Sequence, residues 1–297
     1  MLNKIIVKLK MIYIHCADVL NRMIYYVDTM DTEETLNLIL KEKKSISRFG
    51  DGEISLIFGD GLKFQDYDKE LASRLKSIIS LEKRDGAVVA LPHTYTTYKG
   101  YTKDSVLFWS QYYYKNRTKI YSILNKKYRY ADAQITRIYV NRNDKDSSKK
   151  YFALWKKIWN NKDVLLVEGE YSRFGVGNDL FDGCKSVERI ICPAANAYSV
   201  YNKIKDAISE RADGKLVLLV LGPTATVLAD DLARLGMWVI DTGNLDMEYE
   251  WLKMGVDSQT KVTGKYSHEV FGGDNVEELL DQKYESQIVN IIKLAEE

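Results

Sequence analysis

Leu216-Val217-Leu218-Leu219-Val220-Leu221-Gly222-Pro223-Thr224-Ala225-Thr226, with Met237-Trp238-Val239-Ile240-Asp241 a short distance on, decides the fold. The first run is apolar at every position instead of alternating, as a strand covered on both faces should be. Gly222 allows a tight reversal and Pro223 suits a first helical turn, so a helix is expected over Thr224 to Leu235 before the second strand. Strand, helix, strand is the unit of a parallel sheet. Working outward, Asp163 to Val167 and Val187 to Cys192 repeat the pattern, with a helical segment at Ala195 to Arg211. Upstream, extended segments are expected at Ser45 to Arg48 and at Ala87 to Leu91, which Pro92 stops. Helices are expected from Thr32, over Tyr67 to Leu81 and within Thr102 to Tyr130. The expected class is α/β: a Rossmann-like, doubly wound, mostly parallel sheet flanked by helices, with ligands at the carboxyl ends of the strands.

No composition break divides residues 32–297, which are expected to form one domain preceded by a helical extension, residues 1–31. The chain has 297 residues and 3 prolines, which suits a compact fold with little linker. With 43 Lys and Arg against 42 Asp and Glu, the net charge of +1 gives no field to hold a nucleic acid. Cys16, Cys184 and Cys192 have no Cys-x-x-Cys spacing, which points away from zinc and disulfides and toward the reducing cytoplasm. In the extension, Lys4, Lys8, Lys10, Asp18 and Arg22 interrupt the apolar residues too often for a membrane span or a signal peptide. Two readings stay open for it: a packing or homodimer helix, or peripheral contact with the inner membrane face.

The residues suited to chemistry cluster at the proposed strand ends. Asp51-Gly52-Glu53 follows Ser47-Arg48-Phe49-Gly50, and in an extended loop its two carboxylates would share a side, as hard ligands for Mg²⁺ or Mn²⁺. Arg48 could hold a phosphate or pair with those carboxylates. The alternative is an ordinary acidic turn. An internal echo weighs against it: Ser172-Arg173-Phe174-Gly175-Val176-Gly177 repeats the first motif and runs into Asn178-Asp179, after a strand ending at Glu168-Gly169-Glu170. A helix opening at Asp179 would make that turn an anion cradle, and both loops are expected to face one cleft. At Gly222-Pro223-Thr224, the threonine could cap the helix or bind phosphate. Cys192-Pro193-Ala194-Ala195-Asn196 offers small residues on which a base or ribose could lie. Asp246, Glu248 and Glu250 could supply a general base or a further metal contact, or simply a helix N-terminus favoured by the dipole. His93 and His268 lack partners at metal spacing. No Walker loop, Gly-x-Ser-x-Gly elbow or zinc-protease signature occurs, and no glycine fingerprint supports a nicotinamide enzyme.

Four motifs in order, Ser47 to Glu53, Val167 to Phe181, Leu221 to Ala229 and Asp241 to Trp251, resemble the bacterial GT-D-type glycosyltransferase family, first catalogued as a domain of unknown function. The resemblance runs from about Thr32 to Gly273. It implies a hexosyltransferase taking a nucleotide-diphosphate sugar such as UDP-glucose to a glycan or glycoprotein acceptor in surface glycan synthesis. It also implies Mn²⁺ or Mg²⁺ at the Asp-x-Glu motif, here Asp51 and Glu53. On this reading the cation holds the donor diphosphate, Arg48, Gly50, Glu170, Arg173, Gly175, Gly177, Asn178, Asp179, Gly222, Pro223, Thr224 and Asn244 surround the donor, and Asp246 or Glu248 serves the acceptor. Asn244 stands where the family often has histidine, and an amide cannot shuttle a proton. A non-catalytic nucleotide-sugar-binding subunit is the rival that this departure favours.

Overall fold

The computed structural model describes residues 2–81, 85–267 and 269–294, and their side chains from residue 5 onward. In chain order the elements are α1 (Leu2–Ile24), α2 (Thr32–Glu42), β1 (Ile46–Arg48), α3 (Asp51–Ile57), α4 (Lys69–Ser80), β2 (Val88–Leu91), α5 (Lys103–Ile123), β3 (Ala131–Asp132) and α6 (Lys145–Trp159). They continue with β4 (Asp163–Gly169), β5 (Ser186–Cys192), α7 (Tyr201–Arg211), β6 (Leu216–Val220), α8 (Pro223–Arg234), β7 (Trp238–Asp241), α9 (Leu245–Met254), α10 (Gln282–Gln287) and β8 (Ile288–Ile291).

The strands form one sheet in the order β3-β2-β1-β7-β6-β4-β5-β8, and every neighbouring pair is parallel. From β1 the chain steps outward to β2 and β3; from β4 it visits β5, then returns through β6 and β7 to lie beside β1. Those reversals open crevices at the carboxyl ends of the central strands. Side-chain alternation feeds two cores at once. Leu165 and Val167 of β4 and Val217 and Leu219 of β6 join one cluster with α4, α7 and α8, while Val164, Leu166, Leu216 and Leu218 join another with Trp155 and Trp159 of α6 and Trp251 of α9. Each such fully buried aliphatic side chain contributes roughly 1.5–3 kcal/mol, which is why the runs read as uninterrupted apolar sequence.

The strands expected at both ends of the Leu216 to Asp241 stretch are present, with α8 between them starting one residue earlier than expected, at Pro223. Two edge strands were not expected: β3 has only two residues, and β8, Ile288-Val289-Asn290-Ile291, is a four-residue edge strand broken by an asparagine, alternately half-buried and exposed. The helix expected to open at Asp179 is absent. Residues 174–183 form successive turns instead, with Gly175 and Gly177 at φ 74° and 78°, a backbone that no helix can continue.

Candidate active site

The first motif leaves β1 and enters a helix, not an extended loop. Gly50 takes an extended backbone as the N-cap of α3, and Asp51 and Glu53 occupy the first and third helical positions. At 3.6 residues per turn they leave the axis about 200° apart, so they do not share a side as alternating strand residues would. Asp51 is exposed. Glu53 folds back so that its Oε2 accepts the Gly50 N–H at 2.7 Å. Desolvation pushes the Glu53 carboxyl up to about 7, with the Asp241 carboxylate adding to the rise and the Gly50 and Glu53 N–H groups and Arg48 opposing it.

Arg48 ties three elements together. It donates from Nε to the Asp241 carbonyl at 2.8 Å, from Nη2 to the Asp241 carboxylate at 2.8 Å, and from Nη1 to the Ala133 carbonyl at 3.1 Å and the Thr136 hydroxyl at 2.7 Å. The carboxylate it pairs with is therefore Asp241, not Asp51 or Glu53. Gly243 has φ 44°, and a Cβ there would lie 2.0 Å from Arg48 Nη2, so this approach of β1 to the end of β7 requires glycine.

The second motif is positioned differently from the first. Buried Glu168 accepts the Phe174 N–H at 2.7 Å and pairs with Arg189 at 2.5 Å, which fixes the loop against β5. Arg173, buried and at φ 44°, donates to the carbonyls of Gly264 and Glu277 at 2.8 and 2.7 Å, so it anchors the C-terminal segment. Glu170 is exposed. Asn178 donates to Asp246 at 2.8 Å and Glu250 at 2.6 Å, and Asp179 is held by Lys156, Lys253 and Tyr249, the lysines keeping its carboxyl far below the usual range. Gly175, Gly177, Asn178 and Asp179 line a cavity of about 580 Å³ with Lys185 and Lys283, whereas Ser172 and Phe174 line another. The two motifs, expected to face one cleft, line different cavities: Arg48 to Glu53 lie in one, Ser172 and Phe174 in a second that adjoins it through Phe64, Gly222, Gly243 and Asn244, and Gly175 to Asp179 in a third.

On α9 the three acids divide. Asp246 is buried and bonded to Lys265 Nζ at 2.6 Å, a buried lysine that also reaches Glu250 at 2.8 Å. Glu248 is fully buried; its Oε2 accepts the N–H groups of Tyr139 and Val140 at 2.6 and 3.0 Å, while Oε1 has no partner among the described residues. Burial pushes this carboxyl up to about 7 against the pull of Arg137. Glu248 lies outside the linings of these three cavities and clamps the backbone at Tyr139 and Val140.

Two cavities meet at the carboxyl ends of β6 and β7. The smaller, about 130 Å³, is lined by Gly169, Tyr171, Phe174, Pro193, Ala194, Asp246 and Tyr266. The larger, about 820 Å³, contains Arg48, Gly50, Asp51 and Glu53 together with Gln134, Arg137, Trp109, Ser105 and Glu269. Phe64, Gly222, Gly243 and Asn244 line both. The N-termini of α8 and α9 therefore converge on the junction, where their dipoles favour an anion. Gly222 has φ 53°, and a Cβ there would lie 2.7 Å from the Phe64 ring. Thr224 is buried behind this turn with no partner for its hydroxyl among the described residues. Among those residues no three His, Cys, Asp or Glu side chains converge as a ready-made metal cage. His93 bonds Thr29 and Asp132, and His268 lies outside the described residues.

Phe64, Arg137, Lys265 and Tyr266 carry no site signal in the sequence. They come from loops without periodicity, and only the fold brings them to the strand ends. Arg137 pairs with Glu269 across the larger cavity, and the Tyr266 N–H bonds the Tyr171 carbonyl beside the smaller one. A family model described as the glycosyltransferase GT-D fold matches residues 46–270, which include both motifs, the junction and α9. The chain belongs to this GT-D family. A solved structure described as a new glycosyltransferase from Streptococcus sanguinis is 40% identical, with a TM-score of 0.85 over 90% of this chain and 99% of that one. Another, of the domain of unknown function 1792 described as having a distinct glycosyltransferase fold, is 35% identical with a TM-score of 0.86, covering 91% of this chain and 97% of that one. Among curated proteins, the probable glycosyl transferase Gly of Streptococcus gordonii is 40% identical over 89% of this chain, and glycosyltransferase GlyD of Streptococcus pneumoniae serotype 4 is 39% identical over 92%. The chain spans only 38% and 33% of those two proteins' lengths.

Proposed function

We propose that this GT-D chain transfers a sugar, a hexose such as glucose, from a nucleotide-diphosphate donor such as a UDP-sugar to a glycan or glycoprotein acceptor of the bacterial surface. The observation that carries the reading is the junction of Gly222, Gly243 and Asn244 between the two cavities, faced by the N-termini of two helices. A diphosphate seated there accepts N–H groups at the positive ends of α8 and α9. The nucleoside then extends toward Pro193, Ala194, Tyr171 and Tyr266, and the sugar into the larger cavity beside Asp51 and Arg137. That cavity has the size of a ligand site, roughly 300–1,000 Å³.

Mn²⁺ or Mg²⁺ fits the donor set, because such a cation is held by one or two carboxylates with phosphate oxygens completing its shell. Asp51 is an exposed carboxylate on the cavity rim beside the junction, as Asp104 and Asp257 are elsewhere on that rim, and Glu53 is a desolvated carboxyl that a cation would keep ionised. Bound there, the ion would supply charge neutralisation on the leaving diphosphate. Arg48 fixes the β1 and β7 ends around this site, and Asn244 can donate its amide to a phosphate oxygen. Asp246, held by Lys265 and Asn178, orders the wall of the smaller cavity. Use of a cytoplasmic nucleotide-sugar pool accords with three free thiols.

Titration calorimetry with UDP tests this. Binding that strengthens with Mn²⁺ and loses that gain in Asp51→Ala supports the site; binding indifferent to both points to a nucleotide-binding subunit without turnover.

A further inference from the structure

The first helix is inside out. Its polar residues face the protein: buried Asp18 accepts from Arg117 Nε at 3.1 Å and pairs with Tyr98 and Arg22, while His15 stacks on Tyr98. Most of its large apolar residues face outward, Met11 against Gln111 and the half-buried Ile14 excepted, and exposed Val7 alone lies on the side away from the main stripe. Ile5, Leu9, Ile12, Tyr13, Leu20 and Met23 are each at least half exposed, up to 77% at Met23. At 100° per residue these six fall in one stripe centred near Leu9, and Lys8 and Lys10, both exposed, flank that stripe on its two sides. The only acid of α1 is Asp18, which is turned inward. The neighbouring α5 continues the pattern, exposing Leu107, Phe108 and Tyr114 with Lys103, Lys115 and Lys119 against the single acid Asp104.

We infer that this stripe is a docking surface for an anionic lipid bilayer, on which α1 lies in the plane of the headgroups. No helix among the described residues is long and apolar enough to cross a membrane, so the helix lies on the surface instead of spanning. The charge pattern selects lipid over a second copy of the chain. Two such faces packed together would bring lysines against lysines with no acid on α1 to answer them, whereas anionic headgroups complement both flanks and the stems of the lysines can snorkel. The contacts between α1 and α5 also fix an orientation. Met11 meets Gln111, Tyr13 meets Tyr114 and Asp18 meets Arg117, so the two helices run parallel. The amino-terminal end of α5, with Thr102, Ser105, Phe108 and Trp109, walls the larger cavity. Docking of α1 therefore sets that mouth of the cavity beside the bilayer. The inference stands independently of the transferase reading.

The test is co-sedimentation of the full chain with vesicles of phosphatidylcholine alone and with vesicles containing phosphatidylglycerol. Binding is expected to the second and to be weak to the first. Lys8→Glu with Lys10→Glu should weaken it by at least about fivefold for each lysine. Leu9→Glu with Leu20→Glu should abolish it with the thermal melt unchanged, because neither residue packs on the fold. Absence of binding to both vesicle types overturns the proposal. So does a wild-type dimer in sedimentation equilibrium that the Leu9→Glu, Leu20→Glu variant converts to monomer, since the stripe would then be a self-interface.

Discussion

Glu248→Gln separates two tasks for the most deeply buried acid of α9. The carboxyl is fully buried, accepts two backbone N–H groups through Oε2, and is pushed from 4.5 up to about 7. A carboxyl whose folded pKa lies above its unfolded one stabilises fully below about pH 4.5 and loses that contribution as pH rises through about 7. At 1.36 kcal/mol per unit the loss is about 3 kcal/mol, or roughly 5 °C of melting temperature for a chain of this length. Glutamine keeps an oxygen for the Tyr139 and Val140 amides and has no charge to bury. Urea unfolding from pH 5 to 8.5 should therefore show a stability difference, wild type minus variant, that falls by about 2.5 kcal/mol, the rest of the loss lying below pH 5. Other raised carboxyls, Glu53, Glu168 and Asp241, titrate in both proteins and cancel in that difference. Turnover should stay within a few-fold, because the side chain clamps backbone. A pH-independent difference, or a loss of turnover in the range of roughly 10²–10⁴ expected for a missing general base, would refute the reasoning.

Gly243→Ala places a methyl on the Arg48 guanidinium at a positive φ and should cost about 2 kcal/mol or more, read as a lower urea midpoint. Gly222→Ala, strained at φ 53° and pressed on Phe64, should cost about 1–3 kcal/mol and weaken nucleotide binding as well. Lys265→Met leaves Asp246 and Glu250 without their buried cation and should destabilise by about 3–5 kcal/mol in chemical denaturation. Arg117→Met leaves buried Asp18 with Arg22 and Tyr98 alone and loosens α1 from α5, so a smaller loss, about 1–3 kcal/mol, is expected together with faster proteolysis within residues 2–24.

The central sheet was legible because β4, β6 and β7 are covered on both faces, and residues such as Leu165 and Leu166 must then both be apolar while serving different cores; β5 shows the pattern only at its Ile190-Ile191-Cys192 end. Short edge strands make no such demand: β3 has two residues, and in β8 the run Ile288 to Ile291 is interrupted by Asn290 and half exposed, too short a signal to set apart from a helix end. Glycine punctuation misled at Asp51-Gly52-Glu53: Gly50 is a helix cap, and a glutamate at the third position reaching back to the cap amide is an ordinary helix start. The echo at Ser172 shares residues with the first motif but not its backbone, since Gly175 and Gly177 turn the chain where Gly52 continues a helix. At Asp246 and Glu248 acidity pointed to chemistry, whereas burial assigns one to a lysine and the other to two amides. Phe64, Arg137 and Tyr266 reach the strand ends only through the folded chain, and composition carries no sign of that.

Hydrolysis of a panel of nucleotide sugars by the purified chain, with Mn²⁺ or with EDTA, tests the central claim most directly, since a bound donor slowly passes its sugar to water when no acceptor is present. The account predicts release of a nucleoside diphosphate from one donor class, abolished by EDTA and by Asp51→Ala. Release that persists in EDTA and in the variant, or no release from any donor together with no metal-dependent nucleotide binding, would contradict it.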